Sequence, residues 1–462
     1  MQIQRQEQAK PKRKVLYKVL WAAAAVIAAG VLFAAGYFTY YWTMDGGLRS
    51  LLWFKEMIDE QYYEDISDED FWQAAIDGAE GLLDSYSVYY TPAEFEQVQM
   101  SSQGVGIGVG LSFFSGTNKV AQVAINSPAF FAGVRVGMYV TGIGAAGGEI
   151  KDAFASVGGS ILYYASTALT SLEEGTTVSL RLSADSPTAT EGCTVVSVTA
   201  EEFTESYVLY ACGGHAYAAL HDDASGEYVW TDVSEYVAED EQVTGAAYLR
   251  LSRFYGNAAG EFALALEQYR KDGADTLLLD LRNDGGGSVA VMQSIASYLL
   301  KDADADDEVV MEAVYGNGRR ERYLAGGNFY DEYLADSEIY VAANVNTASA
   351  SEALIGAMIS YGTIGYEDIF ITDTIGQGSA RTYGKGIMQT TYYNVATGEA
   401  AKLTTAQIYW PNGESIHGSG ITTAMGARPS PAKSFGEYGD PELTAILAAI
   451  ASEGGADALS LL

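Results

Sequence analysis

Two apolar runs, each ending in a turn of small residues and leading into a helix-spaced segment, constrain this chain more than any other feature. The first, Thr276-Leu277-Leu278-Leu279-Asp280-Leu281, ends in Arg282-Asn283-Asp284-Gly285-Gly286-Gly287, with helical spacing over 289–300. The second, Ile339-Tyr340-Val341-Ala342-Ala343, runs into Asn346-Thr347-Ala348-Ser349-Ala350-Ser351-Glu352 and then Ala353-Leu354-Ile355-Gly356-Ala357-Met358-Ile359. Short continuous apolar runs read as buried strands, and the segments after them as packed helices. With a further strand over 246–251 and a helix over 261–269, this alternation predicts an α/β core. Strands are also expected over 174–182 and 402–409, and Asp440-Pro441-Glu442 opens a last helix.

The second turn carries the chemistry. A serine at a strand-to-helix turn is held rigidly beside the free N–H groups of the helix start. Ser349 is therefore read as a nucleophile, with Ser351 the alternative in the same motif. Downstream, Tyr383-Gly384-Lys385-Gly386 leads into Ile387, Met388 and Gln389, the start of another strand. A lysine between two glycines sits where the backbone is tight, and Lys385 is read as the general base. An ordinary lysine, with a pKa of about 10.4, is a cation at neutral pH and accepts no proton. Burial lowers that value, and Val341, Ile387 and Met388 are expected to supply apolar surroundings. His215, His221 and His417 show neither metal-ligand spacing nor a Ser-His-Asp arrangement, and read as surface or loop residues.

The remaining chain frames this pair. Its 462 residues suffice for two or three domains, and an apolar fraction of 48% is ample for real cores. Net charge is -34, which argues against nucleic acid as a partner. Two cysteines, Cys193 and Cys212, exclude a disulfide framework and leave either one bridge or two thiols. Residues 1–18 are basic, with Arg5, Lys10, Lys12, Arg13, Lys14 and Lys18, and residues 19–42 carry no charge. That run is long enough to cross a bilayer, with the basic flank in the cytoplasm. An uncleaved anchor is favoured over a signal peptide because the run is longer than a usual signal core. Residues 46–98 look helical, with Asp68 as an N-cap, and suggest a packing region without chemistry.

Gly104-Val105-Gly106-Ile107-Gly108-Val109-Gly110-Leu111 is a glycine-rich loop entering a strand. It lacks the Lys-Ser/Thr ending of a phosphate loop, so nucleotide binding is rejected. With Ser127-Pro128-Ala129-Phe130 and the alternating strand after Glu174, it resembles a PDZ domain. The resemblance implies that Gly106, Ile107, Gly108 and Val109 offer N–H groups to a peptide's terminal carboxylate, while the peptide adds a strand.

Taken in order, the Leu279–Gly287, Thr347–Glu352 and Tyr383–Gln389 motifs and the stretch from Lys402-Leu403-Thr404 to Pro411-Asn412-Gly413 resemble the carboxyl-terminal processing peptidases. These are membrane-anchored serine proteases with an embedded PDZ domain. The resemblance implies a crotonase-like ββα-spiral protease core with an inserted β-rich PDZ domain, a helical N-terminal region and an N-terminal transmembrane helix. The corresponding segments are a basic tail over 1–18, an anchor over 19–42, a helical region over 46–98, a PDZ domain over 99–203, a protease domain over 204–435 and a C-terminal helical segment over 436–462. It further implies a Ser349–Lys385 dyad, Gln389 positioning the amine, and an oxyanion hole from the N–H groups of Gly286, Gly287 and Ala350. No metal or cofactor is implied, and a homo-oligomer is compatible with it. The expected partners are the membrane and proteins with apolar C-termini. The separation of Ser349 from Lys385 exceeds the family's, with the excess assigned to residues 366–381. A tail-binding scaffold without turnover is the rival reading, and an acyl-CoA enzyme a third, disfavoured because nothing looks like a nucleotide pocket.

Overall fold

The computed structural model describes residues 12–222, 225–237, 243, 246–301, 308–372, 380–430 and 439–453. Arg5 and Lys10, the acidic run at 239–241 and the glycine-rich stretch at 376–379 lie outside the described residues.

The chain divides into two compact units, Met1–Leu83 and Asp84–Leu462. The first unit holds a helix, Lys12–Thr43, whose segment Tyr17–Thr43 is apolar and exposed. Its length and composition fit a membrane anchor or a signal sequence. Two amphipathic helices follow, Gly46–Gln61 and Asp68–Glu80. The second is capped by Ser67, whose hydroxyl accepts the Asp70 N–H at 3.0 Å. Asp68, expected in that role, is instead the first helical residue, where its charge complements the helix dipole.

In the second unit, the described residues form an eight-stranded sheet at the core. Its order is Glu227–Asp232, His215–Asp222, Val208–Cys212, Ala247–Leu251, Thr276–Asp280, Glu338–Asn344, Ile369–Thr372 and Arg428–Pro429. The first four strands are antiparallel; from Ala247–Leu251 onward every pairing is parallel. A parallel sheet is covered on both faces, which is why its central strands are continuous apolar runs. Leu277, Leu279, Ile339, Val341 and Ala343 face the helices Ala258–Asp272, Val289–Leu299 and Ala350–Ser360. Leu278, Tyr340 and Ala342 face the other way, onto Leu443, Ile446 and Ile450 of the helix Pro441–Glu453. Asp440 caps that helix, its Oδ1 accepting the Leu443 N–H at 3.1 Å.

A second, five-stranded antiparallel sheet brings Ala400–Tyr409 beside Ile387–Tyr393, Val309–Tyr315 and Val88–Tyr90. The strand Val88–Tyr90 lies far upstream in sequence, yet Val88 sits opposite Lys402. Residues 84–90 are thus built into the second unit, not into a separate helical region.

Residues 105–204 form a smaller β-rich body. Its largest sheet orders Thr194–Thr199, Thr177–Ser183, Tyr139–Ala145 and Lys151–Asp152 around a core of Val120, Val140, Leu180 and Val198. Cys193 and Cys212 are both free thiols.

Candidate active site

The two strand-to-helix turns picked out in the sequence lie against each other. Asn344 organises the second: its N–H donates to Thr347 Oγ1 at 2.9 Å, and its Oδ1 accepts from Asn346 N at 2.9 Å and Asn283 N at 3.1 Å. Thr347 Oγ1 donates to Leu281 O at 2.8 Å, and Ala348 N–H to Asp284 O at 3.0 Å. The glycine loop and the serine turn are therefore one hydrogen-bonded body.

Ser349 adopts φ 60 and ψ -114. For a residue with a Cβ this costs roughly 1–3 kcal/mol, and such strain clusters at functional sites. Ser349 is partly exposed, whereas Ser351 is fully buried and donates its hydroxyl to Asp284 O at 2.9 Å. The two serines of the motif thus differ in access as well as position. Ala350 opens the helix, so its N–H has no acceptor within it.

Gly286 has φ +89, and a Cβ there would stand 2.8 Å from Ala350 N and 2.9 Å from Ser349 Cβ. Glycine is required for this approach. The Gly286 N–H is already engaged, donating to Asp284 Oδ1 at 2.8 Å. Of the three N–H groups expected to form the oxyanion hole, this one is directed inward. Among the described residues, the Gly287 N–H has no hydrogen-bond acceptor. Asp284 is completely buried, its Oδ2 lacks a partner, and burial pushes its carboxyl up to about 8.

Glu352, three residues after Ser349, belongs to the motif, yet its position in the sequence points to no catalytic role. It is fully buried and receives four donors. Oε2 accepts from Ser349 N at 3.2 Å and Lys385 N at 2.8 Å; Oε1 accepts from Gly384 N at 2.8 Å and Thr382 Oγ1 at 2.5 Å. Tyr383 N–H adds a bond to Thr347 O at 3.0 Å. The Ser-x-x-Glu spacing is a capping-box signature and is the signal that could have found this residue.

Lys385 is half-buried, and its pKa is lowered by burial and by the charge of Lys402, against Asp84 and Glu352, which raise it. Its ammonium lies 4.8 Å from the centre of the Tyr86 ring, and Tyr86 Oη donates to Tyr383 Oη at 2.9 Å. Tyr86 and Asp84 come from the stretch expected to have no chemistry. No hydrogen bond links Lys385 Nζ to Ser349 Oγ in this arrangement. Gln389 Nε2 donates to Thr404 Oγ1 at 3.1 Å, and no hydrogen bond joins Gln389 to the Lys385 amine.

Away from these turns, Gly106, Ile107, Gly108 and Val109 line a cavity of about 390 Å³. Leu169 and Phe203 provide apolar walls. His215 reaches Asp232 at 3.1 Å on an exposed strand, and His221 packs edge-on against Tyr228. Among the described residues, no group of three or more His, Cys, Asp or Glu is arranged to hold a metal ion.

Residues 245–425, which include both turns and Lys385, match the model of peptidase family S41. A probable CtpA-like serine protease of Staphylococcus saprophyticus is 26% identical over 369 residues, 79% of this chain and 62% of that protein. This chain thus covers less than two thirds of that relative's length. A carboxyl-terminal-processing protease of Picosynechococcus is 28% identical over 344 residues, 74% of this chain and 69% of the relative. The solved photosystem II D1 C-terminal processing protease is similar at 23% identity and a TM-score of 0.45, over 81% of this chain and 87% of that one. Residues 245–425 thus carry a peptidase family S41 domain, and the chain is similar to the carboxyl-terminal processing proteases.

Proposed function

We propose that the protein is a serine endopeptidase, anchored in the membrane with its catalytic part outside the cytoplasm, that cleaves proteins presenting apolar C-terminal tails. The observation that carries the reading is the clamp of Glu352 on the N–H groups of both Ser349 and Lys385. It fixes a strained, accessible serine and a half-buried lysine to one carboxylate.

In this reading residues 204–435 form a crotonase-like protease core, residues 99–203 an embedded PDZ domain, and the cavity beside Gly106 to Val109 receives the tail carboxylate. Ser349 Oγ attacks the scissile carbonyl carbon and passes its proton to Lys385 Nζ. The tetrahedral oxyanion is stabilised by the N–H groups of Gly287 and Ala350, and by Gly286 once its bond to Asp284 opens. Lys385 returns the proton to the leaving amine. Water then attacks the acyl-enzyme with Lys385 again as base, releasing the acid and restoring Ser349. Lowered lysine basicity from burial supports this role. Gln389, four positions on, is assigned to hold the amine after it leaves Tyr86. The arrangement seen is then a resting one, in which Lys385 sits on an aromatic face.

That same position of Lys385 is the observation that favours the rival reading, a tail-binding scaffold without turnover. A fluorophosphonate probe separates the two. The protease reading predicts one covalent adduct, on Ser349, located by mass spectrometry. An unlabelled protein, or an adduct on Ser351, rejects the assignment.

A further inference from the structure

The segment ahead of the strand Val88–Tyr90 is folded on Asp84 and fixed to the strand Ala400–Tyr409. Asp84 Oδ1 accepts from Tyr86 N and Ser87 N, each at 2.9 Å, and the buried Ser87 Oγ accepts from Thr404 N at 2.9 Å. Pairing of Val88 with Lys402 continues the attachment. Tyr86 is thereby aimed at the lysine loop. Its hydroxyl reaches Tyr383 Oη, and the two rings meet edge to face at 6.4 Å and 74°. Tyr383 is held in turn, its N–H donating to Thr347 O at 3.0 Å. The Tyr86 ring is therefore fixed at its backbone and at its hydroxyl.

Lys385 rests on the face of this ring, its Nζ 4.8 Å from the centre. Among the described residues its ammonium forms neither an ion pair nor a hydrogen bond. The charged groups that act on it, Lys402, Asp84 and Glu352, do so from beyond that range. An aromatic face attracts a cation and has no such hold on a neutral amine. A ring under a base thus favours its proton, the reverse of what burial does.

We propose that Tyr86 is a latch on Lys385: its ring holds the protonated amine out of hydrogen-bonding reach of Ser349, and loss of that proton releases the base to the serine. This deepens the protease reading and rests on it. In the latched state the proton is on Nζ. It leaves to solvent, and the neutral amine loses its attraction to the ring. Nζ is then free to accept the Ser349 proton. Tyr86 is a positioning residue that acts through Lys385.

The test compares the full-length parent with Tyr86→Phe, Tyr86→Leu and a protein in which pentafluorophenylalanine replaces Tyr86. The fluorinated ring keeps its shape while the charge of its face is reversed. Two readouts are followed across pH: kcat on fluorescein-labelled casein, and acetylation of Lys385 Nζ by trace acetic anhydride, located by mass spectrometry. Leucine and the fluorinated ring should move both curves about one pH unit lower. Near neutral pH this makes about tenfold more neutral amine, so kcat should rise about tenfold with KM unchanged within about twofold. Tyr86→Phe, which keeps the face, should stay on the parental curves. A leucine variant that had merely lost structure would expose Lys385 and move its acetylation the other way, toward an ordinary lysine pKa of about 10.4. The fluorinated ring then decides, because it preserves the packing. Curves that do not move with the fluorinated ring, or that move equally with Tyr86→Phe, overturn the latch. Should the parent leave casein uncut, the protease reading falls, and the acetylation curves still decide whether Tyr86 holds the amine.

Discussion

Glu352 accepts the backbone N–H of Lys385 at 2.8 Å, across 33 positions of sequence, with the same oxygen that accepts the Ser349 N–H. One carboxylate thereby sets the register of the serine turn against the lysine loop. Glu352→Gln replaces one accepting oxygen by a donor that would face N–H groups. Each buried group left unsatisfied costs about 1–3 kcal/mol. The expected result is a lower melting temperature and kcat reduced by about tenfold or more, since misplacement by an ångström costs up to about a hundredfold. Urea unfolding and steady-state kinetics check both; unchanged kcat would show that the clamp does not position the site.

The charges around Lys385 predict opposite shifts in the pH profile. With Lys385 as the proposed base, the neutral amine is the active form and kcat should rise with pH through the lysine's pKa. Lys402 lowers that pKa and Asp84 raises it. Lys402→Met should move the limb to higher pH, and Asp84→Asn to lower pH. Full pH–rate profiles of the three proteins decide the point. Shifts of the same sign, or none, would assign the limb to another group.

Gly286 cannot carry a side chain without moving the serine turn, because a Cβ meets Ala348 O and Ala350 N at 2.8 Å. Gly286→Ala should reduce kcat by about a hundredfold or more, the usual cost of losing an oxyanion donor. Circular dichroism should show the fold retained. A variant with near-parental kcat would remove this loop from the oxyanion site.

Glu261 gives a prediction about stability alone. It is fully buried, burial pushes it up to about 8, and its Oε2 accepts from Tyr207 N at 2.6 Å and Val208 N at 2.9 Å. A carboxyl with its folded-state pKa above the unfolded value stabilises fully below the unfolded pKa, and loses that contribution as pH rises through the folded one. Stability should therefore fall between about pH 4.5 and about pH 8 by an amount on the order of a few kcal/mol. Glu261→Gln should flatten this fall, so that the variant equals or exceeds the parent at pH 9. Melting curves at pH 5 and 9 test it.

The strands and helices of the core were legible because burial on both faces demands continuous apolar runs. The segment 339–343 is a strand over Glu338–Asn344, and 353–359 lies in the helix Ala350–Ser360. Boundaries shifted where a cap decides them, as with Ser67 ahead of Asp68. What sequence spacing does not carry is contact across the chain. Tyr86 meets Tyr383, 297 positions away, and Lys385 only because the strand Val88–Tyr90 joins the second sheet. The inward Gly286 N–H is equally invisible in a run of three glycines, since it depends on where the Asp284 carboxyl is buried.

Steady-state cleavage of casein by the parent, Ser349→Ala and Lys385→Ala is the most direct measurement. A Ser349–Lys385 dyad requires cleavage by the parent and, in each variant, kcat lower by at least about a thousandfold, as when a nucleophile or its base is removed. Cleavage that persists at the parental rate in either variant would contradict it.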